Sequence, residues 1–139
     1  GRILARESLA AYRGMSSNGS EKRCLIAGGE TTVTVTGEGL GGRNMELALS
    51  FALEIRGQAG ITFLSAGTDG TDGPTDAAGA VVDGQTISRA EALGLNPQVC
   101  LQDNDSYRLL AATGDLFITG PTGTNVMDMQ IILLDPDRS

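Results

Sequence analysis

The stretch GTDGTDGPTDAAG, residues 67 to 79, holds Asp69, Asp72 and Asp76 among four glycines and three threonines. Carboxylates this close repel one another unless water, a metal ion or backbone N–H groups hold them, so the loop calls for a counterpart. It is not an EF-hand: counting from Asp69, Thr71 and Gly73 stand where oxygen-rich side chains are needed. Mg²⁺ needs only one or two carboxylates beside waters and phosphate oxygens. The loop also follows a strand-like run, ITFLSAG (61 to 67), and α/β folds place ligands beyond the carboxyl ends of strands. Two Asx turns bent at Pro74 explain the glycines equally well, but they do not require three acids.

A second glycine-rich stretch, VTVTGEGLGGRN (33 to 44), carries Gly37-x-Gly39-x-x-Gly42 between a strand-like and a helix-like segment. That is the context of a dinucleotide fingerprint. The alternating threonines suit a half-exposed strand, however, and the next acid after a strand, Asp69, falls later than a ribose-binding acid should. Arg43 follows the last glycine at the expected start of the helix, where a guanidinium fork and free N–H groups would bind an anion. The competing reading is a solvent-facing arginine paired with Glu38 or Glu46. A third loop, GPTGTN (120 to 125), offers backbone amides and the Thr122 and Thr124 hydroxyls to an oxyanion, or is a plain hairpin.

The elements that must position these loops follow from periodicity. Helices are expected over 2 to 14, 44 to 57, 86 to 94 and 105 to 113, the last capped by Asp103 or Asn104. Strands are expected over 24 to 29, 31 to 35, 61 to 67, 77 to 83, 115 to 120 and 126 to 134, the first two joined by a turn at Gly28, Gly29 and Glu30. Off-stripe Leu47, Phe51 and Leu53 predict a helix buried on more than one side. This alternation indicates a single α/β domain: a mixed sheet flanked by helices, with glycine-rich loops at one sheet edge. Residues 1–21 read as a helical stub and linker from a preceding domain, and residues 22–139 as the folded unit.

The bulk chemistry narrows the function. The 139 residues carry a formal charge of −7 with a pI near 4.4, which argues against a nucleic-acid or anionic-membrane surface. There is no histidine and one lysine, Lys22, so a Ser-His-Asp triad, an HExxH zinc site and a Walker loop are excluded within the chain. Cys24 and Cys100 are far apart and are read as reduced, mostly buried thiols. No apolar run is long enough for a membrane span.

GGRN (41 to 44), GTDGTDGPTDAAG and TGPTGTNVMD (119 to 128) together resemble the C-terminal, MOFRL domain of the class II glycerate kinases. The resemblance runs in one order from about Gly28 to Leu134. It implies an ATP-dependent kinase that converts D-glycerate to 2-phosphoglycerate with Mg²⁺. It also implies a Rossmann-like N-terminal domain, absent here, that supplies an essential lysine and the other wall of an interdomain cleft. Arg43 would stabilise a carboxylate or the transferring phosphoryl group. Asp69 would act beside it as a catalytic group, with Asp69 and Asp72 near the metal. Gly41, Gly42, Asn44, Thr68, Asp72, Asp76, Thr122, Thr124 and Asn125 would line the substrate and phosphate site. Met45 and Met127 depart from the family pattern, which often has polar residues there. By itself this piece is expected to be catalytically silent. Cytoplasm is the default compartment, with a mitochondrial form left open. The alternatives are a non-catalytic small-ligand or dinucleotide-binding module and a structural domain whose acidic loop is solvated turn chemistry.

Overall fold

The computed structural model describes residues 1–15 and 21–138. The strands are β1 (Arg23–Gly29), β2 (Ile61–Gly67), β3 (Gly79–Asp83), β4 (Leu116–Phe117) and β5 (Asp128–Leu134), in one sheet of order β1-β5-β2-β3-β4. Every pairing is antiparallel, which corrects the expected mixed sheet. The physical reason is legible in β5. Asp128, Gln130, Ile132 and Leu134 are buried while Met129 and Leu133 are exposed, the alternation of a sheet with one face covered. A parallel sheet needs both faces covered.

The helices are α1 (Arg2–Arg13), α2 (Arg43–Glu54), α3 (Thr86–Ala92), α4 (Pro97–Gln102) and α5 (Ser106–Thr113). α2 lies against β2 and β3 and buries Met45, Ala48, Leu49, Phe51 and Ala52, so it is enclosed on more than one side as its composition predicts. Phe51 stacks on Phe63 of β2 with ring centroids 4.0 Å apart, the centre of an otherwise aliphatic core. Emptying either position would cost about 3–5 kcal/mol. α1 packs on α2 and buries Ala5 and Ser8, so the helical stub is docked on this domain's core. Of the linker expected over 16 to 22, residues 16–20 lie outside the described residues.

Residues 30–42 are not the strand expected at 31 to 35. They pair with no strand among the described residues and are held instead by the turn between α4 and α5. Asn104 Oδ1 accepts from the N–H groups of Thr36 and Gly37, and its amide donates to the Thr34 carbonyl. Asn104 has φ 54°, so it belongs to the turn, and Asp105 is the N-cap position of α5 in place of Asp103 or Asn104. α4 was not expected, although Asn96 caps it by accepting from Gln98 and Val99, with Pro97 in its first turn. β4 is only two residues long within the expected 115 to 120. Both cysteines are free, but Cys24 is exposed and only Cys100 is buried. Among the described residues, no helix is long and apolar enough to cross a membrane.

Candidate functional site

The three glycine-rich loops meet at the edge where β1 and β2 end and β5 begins, beside the first turn of α2. The entry to α2 is extended at Gly42, whose missing side chain leaves the first-turn N–H groups to an outside acceptor. Asp72 supplies it. Its Oδ1 accepts from Asn44 N at 3.1 Å and its Oδ2 from Met45 N at 2.8 Å. The carboxylate is fully buried, and burial pushes its pKa up while the helix N–H groups pull it down. Asp72 is thus an internal anion at a helix N-terminus, in the position where a ligand was expected. Both of its oxygens are spent on α2. Asn44 is equally buried, its amide oxygen accepting 2.6 Å from the Ser65 hydroxyl and its nitrogen donating to Asp72.

Arg43, one residue earlier, turns outward. Its Nε donates to Asp128 Oδ2 at 2.6 Å and its Nη2 to Asp128 Oδ1 at 2.8 Å, a two-bonded fork, with Glu30 a further 3.9 Å contact of Nη2. The expected pairing with Glu38 or Glu46 is replaced by this one. The bonds to Asp128 raise the guanidinium pKa further, so it is permanently charged.

Asp69 lies near the surface, where its Oδ1 accepts from the N–H and hydroxyl of Thr71. The Thr71 N–H chiefly, and Arg43 in addition, hold its carboxyl below the usual range. Its Oδ2 meets only the long 3.4 Å contact of the Asn125 amide among the described residues. The loop after β2 is tied to the loop before β5. Thr122 donates from its hydroxyl to the Thr68 carbonyl, Thr68 N and Oγ1 donate to the Met127 carbonyl, and Val126 N donates to Thr68 Oγ1. Thr68, Asp69, Thr122 and Asn125 therefore form one hydrogen-bonded unit. Thr124 joins it through its carbonyl, which also accepts from Thr122, and its own side chain is exposed. Asp76 is placed apart, accepting 2.8 Å from the Tyr107 hydroxyl on α5.

The glycines of the apparent dinucleotide fingerprint serve close packing. A Cβ at Gly37 would lie 2.3 Å from the Asp103 carbonyl oxygen, and one at Gly42 would lie 2.4 Å from Asp72 Cγ. The N–H groups of Gly37, Glu38, Gly39 and Leu40 donate to Asn104, Asp103 and Asp105, so they are not offered to a pyrophosphate. Two surface cavities of about 440 Å³ each, one beside α3 and α4 and one beside Gly60 and Gln85, lie away from Arg43.

A divalent ion finds limited protein ligands here. Among the described residues, no three His, Cys, Asp or Glu side chains converge as a metal site. Asp69 Oδ2, met only by the long Asn125 contact, is an oxygen to spare, which fits Mg²⁺ held mostly by phosphate and water and does not fit a protein cage. Sequence reasoning missed Asp128, and it placed Glu30 in a turn without seeing its contact with Arg43. The signal for Asp128 was present: in VMDMQIILL it falls on the same alternating face as Ile132 and Leu134, where an acid needs a cation.

The MOFRL family profile matches residues 23–128. A D-glycerate 2-kinase of Thermotoga maritima is 58% identical over 110 residues, covering 79% of this chain and 26% of that protein. A human glycerate kinase is 49% identical over 120 residues, covering 81% of this chain and 23% of that protein. The crystal structure of glycerate kinase from Thermotoga maritima superposes with a TM-score of 0.85 at 50% identity, over 96% of this chain and 32% of that one. The chain thus spans about a quarter of the length of these curated relatives. With the match extending over three of the loops described and most of the sheet, the chain belongs to the MOFRL family.

Proposed function

We propose that this chain is the part of an ATP-dependent glycerate kinase that completes the phosphoryl-transfer site, facing a Rossmann-like N-terminal domain of the same polypeptide. The observation that carries the reading is the Arg43 fork: its Nε and Nη2 edge is held by Asp128, and the Nη1 edge bonds to no protein group among the described residues. A guanidinium so fixed suits the carboxylate of D-glycerate or the equatorial oxygens of a transferring phosphoryl group.

The surroundings of Arg43 also bear on what must join it. Asp128, Asp72, Asp69 and Glu30 all act on it or on its neighbour, so one cation stands among several carboxylates. An anionic nucleotide approaching this edge needs further positive charge. Asp69 would hold Mg²⁺ together with phosphate oxygens and water, where the ion would neutralise charge on the phosphates, and a lysine from the other domain would add to it. Asp69 stays ionised at neutral pH, so it can accept a hydrogen bond from the substrate 2-hydroxyl and orient it for attack. Its lowered pKa makes it a better orienting acceptor than a strong base. Thr68, Thr122, Thr124 and Asn125 shape the loop unit that holds Asp69 beside Arg43. The two free thiols suit a reducing compartment, in keeping with a cytoplasmic enzyme.

The test is ATP- and Mg²⁺-dependent phosphorylation of D-glycerate by the full-length protein, wild type beside Arg43→Ala. Turnover that falls by about 1,000-fold in a folded variant supports the reading. A wild type inactive on D-glycerate, or an Arg43→Ala variant as active as wild type, overturns it. The dinucleotide-module alternative is disfavoured by the occupied N–H groups of residues 37 to 40.

A further inference from the structure

We infer that Asp128 is a positioning residue of this site, fixing the Arg43 guanidinium so that its Nη1 edge faces the ligand; the inference rests on the kinase reading of Arg43. Four observations converge on it. The Asp128 side chain is completely buried, whereas that of Arg43 is 31% exposed, so the carboxylate is the fixed member and the guanidinium the one that reaches out. In the sheet, Asp128 stands between Gly29 of β1 and Gly67 of β2, two residues without side chains. A Cβ at Gly67 would lie 3.7 Å from Asp128 Oδ1, whereas one at Gly29 would face open space. A Cβ at Gly67 would come within 2.6 Å of the Thr71 carbonyl and 3.2 Å of Asp69 Oδ1, so the same glycine also admits the aspartate loop.

The third observation is the backbone before Asp128. Met127 has φ 71°, a left-handed conformation that a residue with a side chain rarely adopts and that persists only where neighbours impose it. They do: Met127 N–H donates to Asn125 Oδ1, and its carbonyl accepts from both the N–H and the hydroxyl of Thr68. The position of Asp128 is therefore registered to the loop that carries Asp69. Fourth, an ion pair of this kind is a poor stability device, because well-packed apolar residues of similar volume serve as well or better. What the pair supplies is orientation. Without it, a long side chain at a helix entry would sample many rotamers, and a misplacement of about 1 Å costs about 100-fold in rate.

The experiment is a double-mutant cycle in the full-length protein, with kcat and KM for D-glycerate and ATP measured for wild type, Asp128→Asn, Arg43→Ala and the pair. Asp128→Asn is expected to lower kcat about 100-fold, with KM changing far less. If Asp128 acts through Arg43, adding Asp128→Asn to Arg43→Ala lowers kcat no further. A fully additive loss, or Asp128→Asn with wild-type kcat, overturns the inference. Arg43→Lys guards against a misfolded Asp128 variant. It keeps the charge but not the fork, and wild-type kcat there likewise overturns the proposal. A measurement independent of turnover separates this inference from the kinase reading: the Arg43 Nε–H resonance of the full-length protein. A slowly exchanging signal lost in Asp128→Asn supports the fixed fork even if D-glycerate is not the substrate. A rapidly exchanging wild-type signal overturns it even if D-glycerate is the substrate.

Discussion

The Met45 N–H donates to Asp72 Oδ2 across 2.8 Å, so a carboxylate from the loop after β2 caps the helix that begins at the neighbouring loop. The same side chain accepts from Asn44 N through its other oxygen. A carboxylate used in this way is structural. Asp72→Ala would leave two buried N–H groups at the start of α2 without acceptors, at a cost of about 2 kcal/mol. Urea unfolding of the full-length protein should show that loss equally with and without Mg²⁺. A stability loss that appears only when Mg²⁺ is present would make Asp72 a metal ligand instead.

Asp69 is expected to behave in the opposite way. Its contacts are local, to Thr71, with one long contact from Asn125, and removing them leaves the core untouched. Asp69→Ala should therefore melt close to wild type while kcat falls by about 100-fold or more. Asp69→Asn keeps the hydrogen-bonding shape and removes the charge. If Asp69 serves Mg²⁺, this variant should need more Mg²⁺ for half-maximal rate; an unchanged Mg²⁺ requirement would leave the carboxylate only its orienting role.

These two aspartates show what was legible in the sequence and what was not. The buried helix expected over 44 to 57 and the strands expected over 61 to 67 and 126 to 134 follow from local periodicity, which reports which side of an element is covered, and the structure has them at 43 to 54, 61 to 67 and 128 to 134. The fate of an aspartate depends on what arrives from elsewhere. Nothing in TDGTDG distinguishes Asp72, pulled beneath α2, from Asp69, three residues earlier and near the surface. Likewise the alternation TTVTV predicts a half-exposed strand, but residues 31 to 35 are exposed throughout and pair with no strand among the described residues, and Asn104 holds the backbone there instead. The partner of Arg43 is expected nearby in sequence, at Glu38 or Glu46, and lies 85 positions away. The short helix at 97 to 102 was marked by Asn96-Pro97, a signal that was present and passed over.

Gly42 gives a prediction that separates packing from phosphate binding. A methyl group there would sit 2.4 Å from Asp72 Cγ and 2.6 Å from the Asp72 carbonyl carbon, both fixed by α2 and by the loop. Gly42→Ala should therefore destabilise the fold by about 1–3 kcal/mol, the usual cost of overpacking. Denaturant unfolding without nucleotide would show the loss. Were Gly42 needed only for a phosphate to approach, the substitution would leave that midpoint unchanged and weaken ATP binding alone.

Glu46 carries the pH dependence. It lies one turn into α2 with Oε1 buried and unpartnered. Burial pushes its pKa up to about 7; the nearby Ser106 hydroxyl offsets part of this, and Asp72 adds to it by repulsion. The sign follows directly. The folded protein holds this proton more tightly than the unfolded chain, so the folded state is favoured while Glu46 is protonated. Stability is then lost as pH rises from the ordinary glutamate range of about 4.3 through about 7. At 9% exposure the group is little screened by water, and the shift corresponds to a loss of the order of 3 kcal/mol above that window. Glu46→Gln removes the titration but keeps the shape. The difference in unfolding free energy between variant and wild type should therefore grow in the variant's favour from pH 5 to pH 8. A difference that is flat with pH would mean that Glu46 ionises at no cost to the fold, and that the start of α2 is wetter than its burial indicates.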